Sequence, residues 1–249
     1  MRTLLMIVGC LLILSACKRQ VNNDVKSERY SLDSCATDYT NSYGLLGAEF
    51  YQYLKNLKSD GSSLGNFNDR ISEMLYKLKL QGELHVRFAK HEGYGDHSWF
   101  YFKEDEPKAI NSSSKAERLL YKRIRVECTP MGAWQIYLLH NSKTVLPLYW
   151  HAYYTKRTYV FSKDDLIRIQ RNNIRIGDND VATIMDQYNI YPEIELEGNI
   201  AKVKCCYWNQ WRGLVRETVT IHFKPDSTCY IDEHVETEVL FACVCSTVY

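Results

Sequence analysis

Three histidines, His85, His91 and His97, fall within thirteen residues, with Glu92 and Asp96 between them. Imidazole and carboxylate are ligand types that suit zinc. Gly93 and Gly95 give the intervening backbone the freedom to fold back and bring His91 and His97 together. One reading is therefore a metal-dependent hydrolase built on His91 and His97; the other is a polar hairpin loop with solvated histidines. No H-E-x-x-H and no other helical i, i+4 histidine pair accompanies them.

The cysteines offer a second chemistry. Cys243 and Cys245 are two apart, which in a strand puts both sulfurs on one face about 6–7 Å apart along the chain. That is too far for an easy disulfide between them, but a partner on a neighbouring strand could reach one. Cys229, whose strand directly precedes, is the candidate. The same three residues also read as buried thiols packed as small hydrophobes, and spacing leaves both readings open. Cys205 and Cys206 alternate across a strand, so they should face opposite sides and cannot share a partner. No C-x-x-C and no paired Cys/His segment marks a catalytic thiol.

Aromatic residues are the third resource: 19 Tyr, 8 Phe and 5 Trp, or 13% of the chain. Such residues favour pleated, half-buried surfaces and so a sheet-rich fold. They are densest at 149–154 and 207–212. In a strand, Tyr149, His151 and Tyr153 share one face. Trp208 and Trp211 flank the polar pair Asn209-Gln210, where indoles should stay partly open to solvent. With Arg212 they would form a platform for a sugar ring or a partner loop. Core and rim packing is the competing use of the same side chains.

Several classes are excluded or unsupported. With 31 basic and 30 acidic side chains, the chain has no electrostatic footprint for nucleic acid. There is no G-x-S-x-G, P-loop, G-x-G-x-x-G or EF-hand loop, so no cofactor is expected. A hydrophobic content of 45% is that of an ordinary globular protein.

The N-terminus carries an address. Arg2 precedes an apolar run over residues 4–14, followed by Ser15, Ala16 and Cys17. Eleven apolar residues suit a signal-peptide core and fall short of the roughly 20 that span a bilayer. Leu14-Ser15-Ala16-Cys17 resembles the lipobox of bacterial lipoprotein precursors, in which the cysteine is lipidated and the chain is cut before it. The resemblance covers 17 residues. It implies a mature protein beginning at Cys17 and anchored to a membrane by two or three acyl chains. One chain holds marginally and more than one holds stably, at about 0.8 kcal/mol per buried CH₂. Lys18 in place of Asp implies, by the same resemblance, the outer membrane of a bacterial envelope.

These groups need a scaffold. Residues 1–16 are read as the removed signal and 17–34 as a polar tether, with 35–249 as a single α+β domain in which 190 is the one place for a subdivision. Helices are predicted over 38–57, 68–80, 162–170 and 178–188; Ser162 with acidic Asp165 three residues on makes the third start clear. Strands are predicted over 83–90, 98–103, 121–128, 134–140, 149–161, 193–196, 200–208, 214–223, 228–237 and 239–248, the last apolar on both faces and so central. Lys224-Pro225-Asp226-Ser227 is a turn by composition, and it should set Ile221 near Cys229 or Ile231. The fold expected is N-terminal helices packed on a mostly antiparallel, aromatic-rich β-sheet that ends in a β-meander.

With no catalytic motif, the leading expectation is a non-enzymatic, lipid-anchored binding module for a protein or glycan. An inhibitor or immunity lipoprotein that captures a toxin or hydrolase is the second, and the histidine-based hydrolase the third.

Overall fold

The computed structural model describes residues 28–30, 37–57, 67–89, 97–105, 119–145, 157–172 and 176–242. The helices used below are α1 (Thr37–Lys55), α2 (Phe67–Met74), α3 (Pro130–Asn141), α4 (Lys163–Arg171) and α5 (Asp178–Gln187), and residues 119–122 are also helical. The strands are β1 (Glu28–Tyr30), β2 (Leu78–Leu80), β3 (Leu84–Ala89), β4 (His97–Phe102), β5 (Ile124–Val126), β6 (Thr158–Val160), β7 (Glu193–Glu197), β8 (Ile200–Asn209), β9 (Gly213–Phe223), β10 (Cys229–Ile231) and β11 (Glu236–Phe241). The fold is α+β, and its large sheet is antiparallel throughout.

The β8–β9 hairpin is the spine of that sheet, in register from Ile200↔His222 to Asn209↔Gly213. Its loop is closed by Asn209, whose Oδ1 accepts from the amides of Trp211 (2.9 Å) and Arg212 (3.1 Å). Gly213, at φ 87°, takes the left-handed position that ends such a loop. β7 pairs the first half of β8 and β6 the second, so the two lie end to end in one row. β10 and β11 likewise share the far side of β9. The 224–227 turn forms as expected: Lys224 N donates to Thr228 O (2.8 Å) and Asp226 Oδ1 accepts from Thr228 N (3.0 Å). Ile231 then sits opposite Ile221.

Alternation along the spine makes two cores. Ala201, Val203, Cys205 and Tyr207 of β8 face the larger one with Val215, Val219 and Ile221 of β9; α1, α2 and α3 cover it. Cys206, Trp208 and Leu214 face a smaller one, covered by α4 and α5 through Leu166, Ile169, Val181 and Ile184. Cys205 and Cys206 thus lie in different cores, as their adjacency required. Residues from both sides of position 190 contribute to each core.

Five expectations need correction: the strand expected over 121–128 is reduced to Ile124–Val126, with residues 121–122 helical, and four others follow. Residues 134–140 form helix, not strand. Gly132 to Leu139 are all buried, so no polar face survives to reveal a helical period, and a short apolar run reads as either element. The start signal was local: Thr129 Oγ1 accepts from Gly132 N (3.0 Å), with Pro130 in the first turn. The second helix stops at Met74, and Leu78–Leu80 pairs with β5 instead. The expected strand over 228–237 is broken, with Asp232 to Val235 between β10 and β11. Among the described residues β11 is an edge strand, not a central one, with Glu236 to Val239 exposed. Residues 243–249 lie outside the described part.

Candidate functional site

A cleft of about 360 Å³ opens where α1, β6, α4 and the β8–β9 hairpin meet, with Val145 beside them. α1 contributes Ala48, Tyr51, Gln52 and Lys55, which the helical period places on one face. β6 and its flanks contribute Arg157, Thr158, Tyr159 and Phe161. α4 and its end contribute Asp165, Arg168, Ile169 and Asn172, and the β8–β9 hairpin contributes Trp208 and Gln210.

Each wall has a local reason for its position. A Cβ on Gly47 would stand 2.8 Å from the Phe161 ring, so the missing side chain lets α1 approach β6 closely. Tyr51 then packs against Tyr159 and Phe161, with ring centroids 4.8 and 5.7 Å away. α4 is held by its N-terminus: Asp165 N donates to Ser162 Oγ (3.3 Å), and the Asp165 carboxylate accepts from Phe161 N (2.9 Å) and Ser162 Oγ (3.0 Å). Arg168 closes an ion pair on the same carboxylate.

Arg157 is the most constrained cation of the site. Its Nη1 donates to Glu217 Oε2 (2.5 Å) and Tyr159 Oη (3.4 Å), and its guanidinium lies over the Tyr207 ring at 4.4 Å. Glu217 is 1% exposed. Its other oxygen accepts from Tyr137 Oη (2.6 Å) and, more weakly, from Tyr159 Oη (3.5 Å). Burial pushes the hydroxyls of Tyr51, Tyr137 and Tyr159 well above the ordinary phenol range, so all three remain donors through neutral pH. Burial disfavours the Arg157 charge, but Tyr159, Glu217 and Tyr207 outweigh it and the guanidinium stays charged.

Arg157 and Glu217 also line a second, larger cavity of about 860 Å³ on the far side. Lys224, Asp226, Tyr230 and Asp232 border it, with Cys229 in its wall.

The residues singled out from sequence are dispersed. Trp208 is buried (3%) between β8 and α4, while Trp211 is 41% exposed at the hairpin tip. Both indoles were expected to be partly open; only Trp211 is, because strand alternation turns Trp208 into the smaller core. Arg212 donates to Thr237 Oγ1 (3.2 Å) across to β11. Cys229 is a buried free thiol, as are Cys205 and Cys206. His97 opens β4 opposite Ala89. Cys17, His91, Tyr149, His151, Tyr153, Cys243 and Cys245 lie outside the described residues. Among those described, no three His, Cys, Asp or Glu side chains are placed to hold a metal ion, and no helix is long and apolar enough to cross a membrane.

Comparisons with protein-family models, curated proteins and solved structures return no match.

Glu217, which anchors Arg157 at the candidate site, is the residue that sequence reading missed, and a signal existed. It occupies the core parity of β9, between Val215 and Val219, where alternation calls for an apolar side chain.

Proposed function

We propose that this protein is a non-enzymatic binding module, tethered to the cell envelope by a lipid on Cys17, that takes a glycan into the α1–β6–α4 cleft. The observation that carries this reading is the make-up of the cleft. Tyr51, Tyr159, Phe161 and Trp208 give it an apolar lining, and Gln52, Asn172 and Gln210 supply amides around it. A flat apolar face ringed by groups that both donate and accept is what a sugar ring needs. The volume lies near the lower end of the roughly 300–1,000 Å³ of small-molecule sites, which suits one or two rings better than a protein surface.

The test is a glycan panel read by fluorescence, since Trp208 lines the cleft and should report occupancy. Gln52→Ala and Gln210→Ala, at exposed positions, are expected to weaken any glycan found by several-fold. Unchanged affinity in both would remove the cleft from consideration. Intact mass of the native protein tests the anchor: two or three acyl chains on Cys17 are expected, and an unmodified thiol there would reject it.

The exposed indole of Trp211 favours a second reading, capture of a protein such as a toxin or hydrolase at the hairpin tip. A tight complex lost in Trp211→Ala but indifferent to Gln52→Ala would select it.

A further inference from the structure

We propose that the cleft is specific for sugars bearing an N-acetyl group, with the Trp208 indole N–H as the donor that reads the acetamido carbonyl. This deepens the reading above and rests on the cleft being the glycan site. The observation that carries it is an unanswered donor. Trp208 is 3% exposed, and it lines the cleft but not the second cavity. Its Nε1–H has no acceptor among the described residues, whereas the buried indole of Trp134 donates to Tyr43 O (3.1 Å). An unpaired buried donor is costly to keep, and a ligand that supplies the acceptor relieves that cost.

The surroundings select the acceptor. The two arginines of the cleft are closed on carboxylates, Arg157 on Glu217 and Arg168 on Asp165, so neither calls for an anionic ligand. The Trp208 nitrogen is covered from solvent, which puts it out of reach of a hydroxyl held close to a sugar ring. An acetamido group carries its carbonyl on a short arm, and an amide carbonyl is a stronger acceptor than a hydroxyl. The arm ends in a methyl, for which Ala48, Val145 and Ile169 supply apolar surface in the cleft. Its N–H has acceptors available in the side-chain amides of Asn172 and Gln210. A free hydroxyl in the same place is too short to meet the indole and brings no methyl.

The experiment titrates the full chain by calorimetry with N,N′-diacetylchitobiose and with cellobiose, which share ring shape and linkage and differ by an acetamido group in place of a hydroxyl on each ring. The expected result is binding of the acetylated sugar about tenfold or more tighter than cellobiose, as when the wrong ligand leaves a buried donor unpaired. Trp208→Phe keeps an aromatic ring and removes the N–H, and should reduce that ratio to about threefold or less. A second measurement needs no variant: in isotope-labelled protein the Trp208 indole N–H proton resonance should move downfield on saturation with the acetylated sugar. Equal binding of the two sugars would overturn the assignment and leave the cleft a glycan site with no N-acetyl preference. A preference that survives Trp208→Phe, or an indole resonance that stays in place on saturation, would give the acetamido to another group and overturn it too. Binding of neither probe would also overturn it; the wider glycan panel then decides whether the cleft takes a sugar at all.

Discussion

The two faces of the β8–β9 hairpin are filled by different materials. Towards α1 and α3 the filling is aromatic and laced with polar groups. Trp134 stacks on Tyr137 at 5.2 Å and meets Tyr43 and Phe161 edge-on. Its indole N–H donates to Tyr43 O (3.1 Å), and the Glu217 carboxylate is answered by Tyr137, Tyr159 and Arg157. Towards α4 and α5 the buried side chains are aliphatic apart from Trp208 and Cys206, with Tyr188, Tyr191 and Phe241 packed at the margin, and the Trp208 indole N–H has no partner among the described residues. A carboxylate can be buried on the first face because hydroxyls and a guanidinium surround it. The second face is poorer in such groups: Arg216 reaches Cys206 and the Asn189 carbonyl (2.7 Å) there, but the Trp208 N–H goes unanswered among the described residues. The cleft lies at the seam, where Tyr159 and Phe161 belong to the first core and Ile169 and Trp208 to the second.

The largest expected effect is on the first face. Glu217→Ala strands Arg157 and the Tyr137 hydroxyl, and should cost about 3–5 kcal/mol, as when one member of a buried pair is removed. The double replacement Glu217→Leu with Arg157→Met should fold with stability near that of the parent, because the desolvation cost leaves with the charges. Urea unfolding measures both. A loss below 1 kcal/mol in the single variant would mean that the carboxylate is solvated, and would dissolve the contrast between the faces.

A smaller effect compares the two buried indoles. Trp134→Phe and Trp208→Phe delete similar volume, but only the first breaks a hydrogen bond. Trp134→Phe should therefore be the more costly by about 1 kcal/mol, read from the same unfolding curves. Equal costs would show that Trp208 finds a partner after all.

A last effect is common to both faces and is felt only in alkali. Burial raises the thiols of Cys206 to about 11 and Cys229 to about 12, from an ordinary 9.0, and holds that of Cys205 well above the ordinary value too. The folded chain holds these protons after the unfolded chain has lost them, so the unfolded state binds fewer protons above about pH 9. The thiols' contribution should be constant below about pH 8 and be lost as pH rises from about 9 to 12. Melting temperatures across that range, with the cysteines replaced by Ala as reference, measure the contribution. No change in slope on replacement would contradict the buried-thiol assignment.

Much of the scaffold was legible because its signals are local. The Ser162 cap needs four residues, the 224–227 turn needs four, and the alternation of β8 and β9 fixes which side chains share a face. α3 was misread because its signals conflict: a buried helix has no polar stripe, and Thr129-Pro130 was the only cue to its type. The cleft was not legible, since its walls come from 48–55, 157–161, 165–172 and 208–210. No local pattern states that β6 lies against the second half of β8. Parity along β8 already separated Trp208 from the exposed tip, so treating the two indoles as one platform set proximity in sequence above the period of a strand.

The spine also sets a timetable. β6, β7, β10 and β11 each bond directly to β8 or β9, and the sheet-facing side of α1 meets β6 through Tyr51. α1 ends at residue 55, and the hairpin that organises its partners is complete only at 223. At about 5–20 residues per second of synthesis, the first helices emerge on the order of ten seconds or more before the sheet that buries them. Throughout that interval Tyr51 lacks the Tyr159 and Phe161 rings it packs on, and the larger core stays open on its sheet side until the chain's last quarter is made.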